Sequence, residues 1–164
     1  MRMHRHTLAG LIAVIGLVLG GCGFSPLYSS AGYQRLGGIS VEAGAERFDY
    51  LLQNAVRDFA GPGDSPYVIR VNTRVTRLVA GISPSGIASR VALTGQAAYT
   101  LAGVGAPITG TTQVSVSFDQ PSDPYAQIAS FSDAEERLAV RLAEELLQDV
   151  SVELRRREAG LTPG

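Results

Sequence analysis

The chain has 164 residues, with 14 arginines, no lysine and 15 acids, for a formal net charge of −1. Its two histidines, His4 and His6, and its one cysteine, Cys22, all lie within the first 22 positions. The rest therefore lacks the usual general base, Schiff-base amine and thiolate nucleophile, and every nitrogen or sulfur ligand that zinc or copper prefers. No catalytic residue, metal site or cofactor is expected.

Arg2 and Arg5 precede a run from Leu8 to Leu19 that is uncharged and apolar apart from its glycines. A stable transmembrane helix needs about 20 apolar residues, so this run fits the core of a secretory signal better than a span. Leu19-Gly20-Gly21-Cys22 follows, an aliphatic residue, two small residues and a cysteine. It resembles the lipobox of bacterial lipoprotein precursors. The resemblance implies that the Cys22 thiol takes a diacylglycerol, that cleavage falls before Cys22, and that the freed amine is acylated too, with palmitate. The small residues let the peptide lie close to the peptidase, and sulfur is the nucleophile that takes the lipid. Each buried methylene contributes roughly 0.8 kcal/mol, so two or three acyl chains make the anchor practically permanent. Inner-membrane members commonly carry Asp after the cysteine. Gly23 therefore leans towards an outer-membrane address, lipid-anchored on the periplasmic side. With one cysteine, no intramolecular disulfide can form.

Removal of residues 1–21 leaves 143, enough for one compact domain. Residues 22–38 read as a lipidated tether rich in Gly, Ser and Tyr, residues 39–158 as a single domain, and residues 159–164 as a frayed tail. Ile39 to Glu42 suits a short strand. Ala45 to Ala60 carries Phe48, Leu51, Leu52, Ala55, Val56 and Phe59 at the spacings of one helical face, and Gly61-Pro62-Gly63-Asp64 ends it.

Three alternating segments follow. Tyr67, Ile69, Val71, Val75 and Val79 share one parity, and Arg70, Asn72, Arg74 and Thr76 take the other. Residues 90–101 and 107–118 alternate in the same way, which indicates an antiparallel sheet covered on one side. Gly81-Ile82-Ser83-Pro84-Ser85-Gly86 faintly resembles a nucleophile elbow, but its second glycine is displaced and no histidine completes a triad. It reads as a turn. Ser132 and Glu135 have the capping-box spacing, which predicts a second helix from Ser132, with Leu138, Ala139, Leu142, Ala143, Leu146, Val150 and Leu154 along one side. The expected fold is α+β. It is a two-layer sandwich with a mostly antiparallel four-stranded sheet and both helices packed on one face. Strands of about 40 Å suggest an elongated body.

Residues 65–118 hold four arginines (Arg70, Arg74, Arg77 and Arg90) and no acid, a net of +4. The mature chain sums to −3, so everything outside this segment carries −7. An acidic protein with an acid-free sheet has its charge sorted. Pairing with helix acids, or simple solvation, is one reading of these arginines. Contact with phosphates, which the planar guanidinium fork binds bidentately, is the other. Nucleic acid is not expected, because the chain is exported, acidic overall and without a basic helix. The phosphates abundant at the outer membrane are those of lipopolysaccharide.

Cys22-Gly23-Phe24-Ser25-Pro26-Leu27-Tyr28 resembles the opening of mature lipopolysaccharide-assembly lipoproteins of the LptE family, alphaproteobacterial type. The later course is similar: a helix, a long meander with Arg90 opening its second strand, and a closing helix with Ser132-Asp133-Ala134-Glu135-Glu136-Arg137. The resemblance implies a non-enzymatic protein that sits partly inside a lipopolysaccharide-exporting outer-membrane β-barrel. It would plug the barrel, assist its assembly and contact lipopolysaccharide on its way outward. The candidate contacts are Arg90, with Arg70 and Arg74 behind it. The alternative is an envelope adaptor or chaperone for another outer-membrane partner, without lipopolysaccharide binding.

Overall fold

The computed structural model describes residues 36–82, 88–103 and 105–160. The expected secretory signal, Cys22, the expected tether up to residue 35, most of the elbow-like turn and the last four residues lie outside the described residues. The elements are β1 (Ser40–Glu42), α1 (Arg47–Ala60), β2 (Val68–Ile82), β3 (Ala88–Ala102), β4 (Ile108–Asp119) and α2 (Pro124–Glu158). They form an α+β sandwich in which one four-stranded sheet carries both helices. The strand order, which periodicity leaves open, is β1-β2-β3-β4. β1 lies parallel to β2, and the other pairs are antiparallel.

The alternation along β3 becomes burial directly. Val91, Leu93, Ala97, Tyr99 and Leu101 are buried under the helices, while Arg90, Gln96 and Ala98 on the other parity are exposed. Leu138, Leu142, Leu146 and Val150 of α2 and Leu52 and Val56 of α1 complete the core, each without accessible surface. Leu36, just before β1, is as deeply buried.

α2 corrects one expectation. It begins at Pro124, two turns before Ser132, and runs for 35 residues. Its N-cap is Asp123, whose side chain accepts from the Ala126 N–H at 2.8 Å, and proline at the first helical position needs no donor. Ser132 and Glu135 are not a cap. Both accept hydrogen bonds from the Arg47 guanidinium of α1, the Ser132 bond at 2.7 Å, and so tie the two helices together. Asp133 accepts instead from Arg137, one turn on.

Element lengths decide what the helices cover. α2 spans about 52 Å, which matches the about 50 Å of β2 and β3, but the 14 residues of α1 span only about 21 Å. α1 therefore covers the first half of β2, and among the described residues the second half is met on this side only by Phe131 and Gln120 at Arg77. Ile69 and Val71 are buried, whereas Val75 and Val79 on the same parity are 36% and 60% exposed. This departs from the expectation that the helices use the whole apolar face.

Two polar residues interrupt the buried parity of β2, and both have partners. Thr73 donates to Asp49 Oδ1 at 2.5 Å, and Asp49 Oδ2 accepts the Glu46 N–H at 3.1 Å. Asp49 is buried, so these bonds replace its water. Arg77 lies over the Phe131 ring at 5.7 Å and donates to Gln120. Phe131 in turn meets Phe118 edge-on at 6.3 Å.

Tyr99 lies across Gly110 on β4, where an added Cβ would sit 2.5 Å from its hydroxyl. Burial pushes its phenol up to about 12, with the Asp149 and Glu153 carboxylates adding to the shift. A free tyrosine titrates near 10, so the unfolded chain gives up this proton first. The stability Tyr99 contributes is complete below pH 10 and drains away as pH rises from 10 through 12, at about 1.4 kcal/mol per unit. The chain has no lysine to titrate in that window. Urea midpoints at pH 9 and 11.5 should fall steeply for the native protein and much less for Tyr99→Phe. An equal fall in both would contradict this origin.

Candidate functional site

The sheet face opposite the helices is uncovered among the described residues. Its cross-strand rows are Arg70-Thr100-Thr109, Asn72-Ala98-Thr111, Arg74-Gln96-Gln113, Thr76-Thr94-Ser115 and Leu78-Ala92-Ser117. Small and hydroxylated side chains dominate, which leaves the face polar and without bulky projections apart from its arginines, glutamines and Leu78. Thr94 and Ser115 hydroxyls lie 3.2 Å apart across the strands.

Arg70 and Arg74 project from this face, as their shared parity predicts, and Arg90 of β3 joins them there. Arg77 projects from the other. The three do not converge. Arg70 and Arg74 are about 14 Å apart along β2, and Arg90 stands at the level of Gly81, about 37 Å from Arg70. They form a line rather than a pocket.

Their environments also differ. Arg70 Nε donates to Glu42 Oε2 of β1 at 2.8 Å, and Arg90 Nε donates to Asp119 Oδ1 of β4 at 3.1 Å. Both pairs are well exposed, so each contributes at most about 1 kcal/mol and can open for a ligand. The acids come from neighbouring strands, not from the helices. Arg74 has no ion pair or hydrogen bond among the described residues. Arg90, Asp119, Ala80 and Gly81 line a shallow hollow at the distal end of the sheet.

That distal end gathers exposed apolar side chains that periodicity does not single out. β4 runs towards it and α2 starts there, so Tyr125 (83% exposed) and Ile128 (69%) join Leu78 (58%) and Ile82 (70%). No helix among the described residues is long and apolar enough to cross a membrane.

No family model and no curated protein matches the sequence. Solved structures do match. A lipoprotein candidate from Caulobacter crescentus CB15 is 26% identical with a TM-score of 0.60, covering 77% of this chain and 95% of that one. Rare lipoprotein B from Shewanella oneidensis is 14% identical with a TM-score of 0.58, covering 73% and 98%. An uncharacterised lipoprotein B from Nitrosomonas europaea is 12% identical with a TM-score of 0.52, covering 71% and 83%. The chain shares its fold with these lipoproteins.

Proposed function

We propose that this protein is an outer-membrane lipoprotein, anchored by lipid on Cys22, that plugs a lipopolysaccharide-exporting β-barrel and assists its assembly. In that position it contacts lipopolysaccharide as the lipid passes to the outer leaflet, and it catalyses no reaction. The observation that carries this reading is the uncovered face of an elongated sheet with its line of three arginines, in a domain with the fold of lipoproteins. A body about 50 Å long with one polar, hydroxyl-rich side suits a water-filled lumen. The resemblance of Cys22 to Tyr28 to the LptE opening supports the same partner.

The arginine line supplies the lipid contact. A hydrogen bond to a charged group contributes roughly 1.5–3 kcal/mol, so removing one good arginine–phosphate bond should weaken binding about tenfold, and less where water or salt screens it. Arg74→Gln should therefore weaken binding of purified lipopolysaccharide more than Arg70→Gln, because Arg70 already has Glu42. Arg90→Gln tests the distal end separately. Circular dichroism checks the fold, and binding is read at low and high salt.

The ion pairs of Arg70 and Arg90 favour a second reading, in which these residues only solvate the sheet and the protein is an adaptor or chaperone for another envelope partner. Binding that ignores both the substitutions and the salt would select that reading.

A further inference from the structure

We propose that the open edge of β2, from Thr73 to Ile82, is a strand-addition site for an extended acidic segment of a partner protein. The inference does not depend on lipopolysaccharide contact.

β1 pairs with Val68, Ile69 and Arg70 only. β2 continues to Ile82 with β3 on one side and, among the described residues, no strand on the other. Backbone groups of successive residues point to opposite edges of a strand. The Ser40 N–H donates to the Tyr67 carbonyl at 3.3 Å, so the odd-numbered residues of β2 face the β1 side. Thr73, Val75, Arg77 and Val79 thus present donors and acceptors along that edge that no backbone group among the described residues pairs.

Natural sheets guard such an edge with proline, charge, bulges or brevity. Residues 71–82 contain no proline, and their guards are Arg74, the inward-pointing Arg77 and the register shift at Val79 to Ile82, which leaves the run from Thr73 to Val79 regular. Val75, Leu78, Val79 and Ile82 stand exposed beside it.

β1 itself samples what the edge accepts. It reads Ser-Val-Glu: Val41 is buried beside Ile69, and Glu42 takes the Arg70 guanidinium. Four residues on, Arg74 repeats the position of Arg70 on the same face with no partner among the described residues. A strand continuing the line of β1 would lay apolar side chains beside Val75 and an acid beside Arg74. A second copy fits badly, because β2 carries no acid, and pairing two such edges brings Arg74 and Arg77 of both chains together.

The test uses the mature chain and a dye-labelled ten-residue peptide of alternating valine and glutamate, with a lysine-for-glutamate counterpart. The glutamate peptide should bind and slow amide exchange at Val75, Arg77 and Val79. Val75→Pro removes an outward N–H while leaving the β2–β3 ladder intact, and should weaken binding at least tenfold. Val75→Thr keeps the donor and should bind as the native chain does. Arg74→Glu should reverse the preference to the lysine peptide. If Val75→Pro does not fold, Arg74→Glu and the exchange pattern carry the test. Absent binding, binding that ignores Val75→Pro and Arg74→Glu, or equal binding of both peptides overturns the proposal. So does slow exchange at those amides in the free chain, which would mean that the edge is already occupied. A dimer in sedimentation that Val75→Pro abolishes would overturn it too, by assigning the edge to a second copy.

Discussion

Cys22→Ser should abolish the lipidated form of the protein. Oxygen in place of sulfur removes the nucleophile that takes the diacylglycerol, and Cys22 is the only thiol in the chain. Mass spectrometry of the membrane fraction should find the acylated N-terminal peptide in the native protein and none in the variant, and the precursor should accumulate. The effect is expected to be close to all-or-none, because each methylene withdrawn from the bilayer costs about 0.8 kcal/mol and the anchor carries many. Normal maturation and undiminished membrane retention of the variant would remove the lipoprotein reading of the N-terminus.

Gly38→Val should destabilise the domain by about 4 kcal/mol or more, at the top of the range for single substitutions. Two costs coincide there. Gly38 has φ +76, a region that β-branched residues avoid, and its N–H donates to the Gly61 carbonyl at 2.9 Å. A Cβ would also fall 1.9 Å from the carbonyl oxygen of Gly63, and that obstacle is backbone that cannot rotate away. Gly105→Ala is the control. Its φ is +83 with nothing within 4 Å, so only the conformational cost remains, about 1–2 kcal/mol. Denaturant midpoints of the two variants separate the terms. A similar drop in both would show that the crossing at Gly38 and Gly63 is not tight.

The strands are legible in the sequence because their alternation is long and regular. Val91, Leu93, Ala97, Tyr99 and Leu101 are buried as their parity predicts. Thr73 and Arg77 break that parity, and the breaks mark side-chain partners from elsewhere in the chain, Asp49 and Phe131. The start of α2 is harder to read because the Ser132–Glu135 spacing competes with Asp123-Pro124, which also has a cap signature. Which one wins depends on Arg47, 85 residues from Ser132, drawing Ser132 and Glu135 into an interhelical contact. The meeting of Gly38 with Gly63 joins two glycine-rich stretches that each read as a plain boundary, and nothing local announces it.

The candidate site is half legible. Parity places Arg70 and Arg74 on one face, and the strand register adds Arg90 to it. Their pairing with Glu42 and Asp119 depends on strand register, which alternation does not specify. The half of β2 that α1 leaves uncovered follows from the difference between a helix rise of about 1.5 Å and a strand rise of about 3.4 Å per residue, once α1 is known to lie on β2.

The most direct test of the barrel role is affinity capture of the tagged mature lipoprotein from detergent-solubilised outer membrane, with quantitation of what comes with it. The expected result is a lipopolysaccharide-exporting β-barrel in one-to-one amount, together with lipopolysaccharide that diminishes in the Arg90→Gln and Arg74→Gln variants. Capture of the lipoprotein without any such barrel, or with a different envelope protein in stoichiometric amount, would contradict that role.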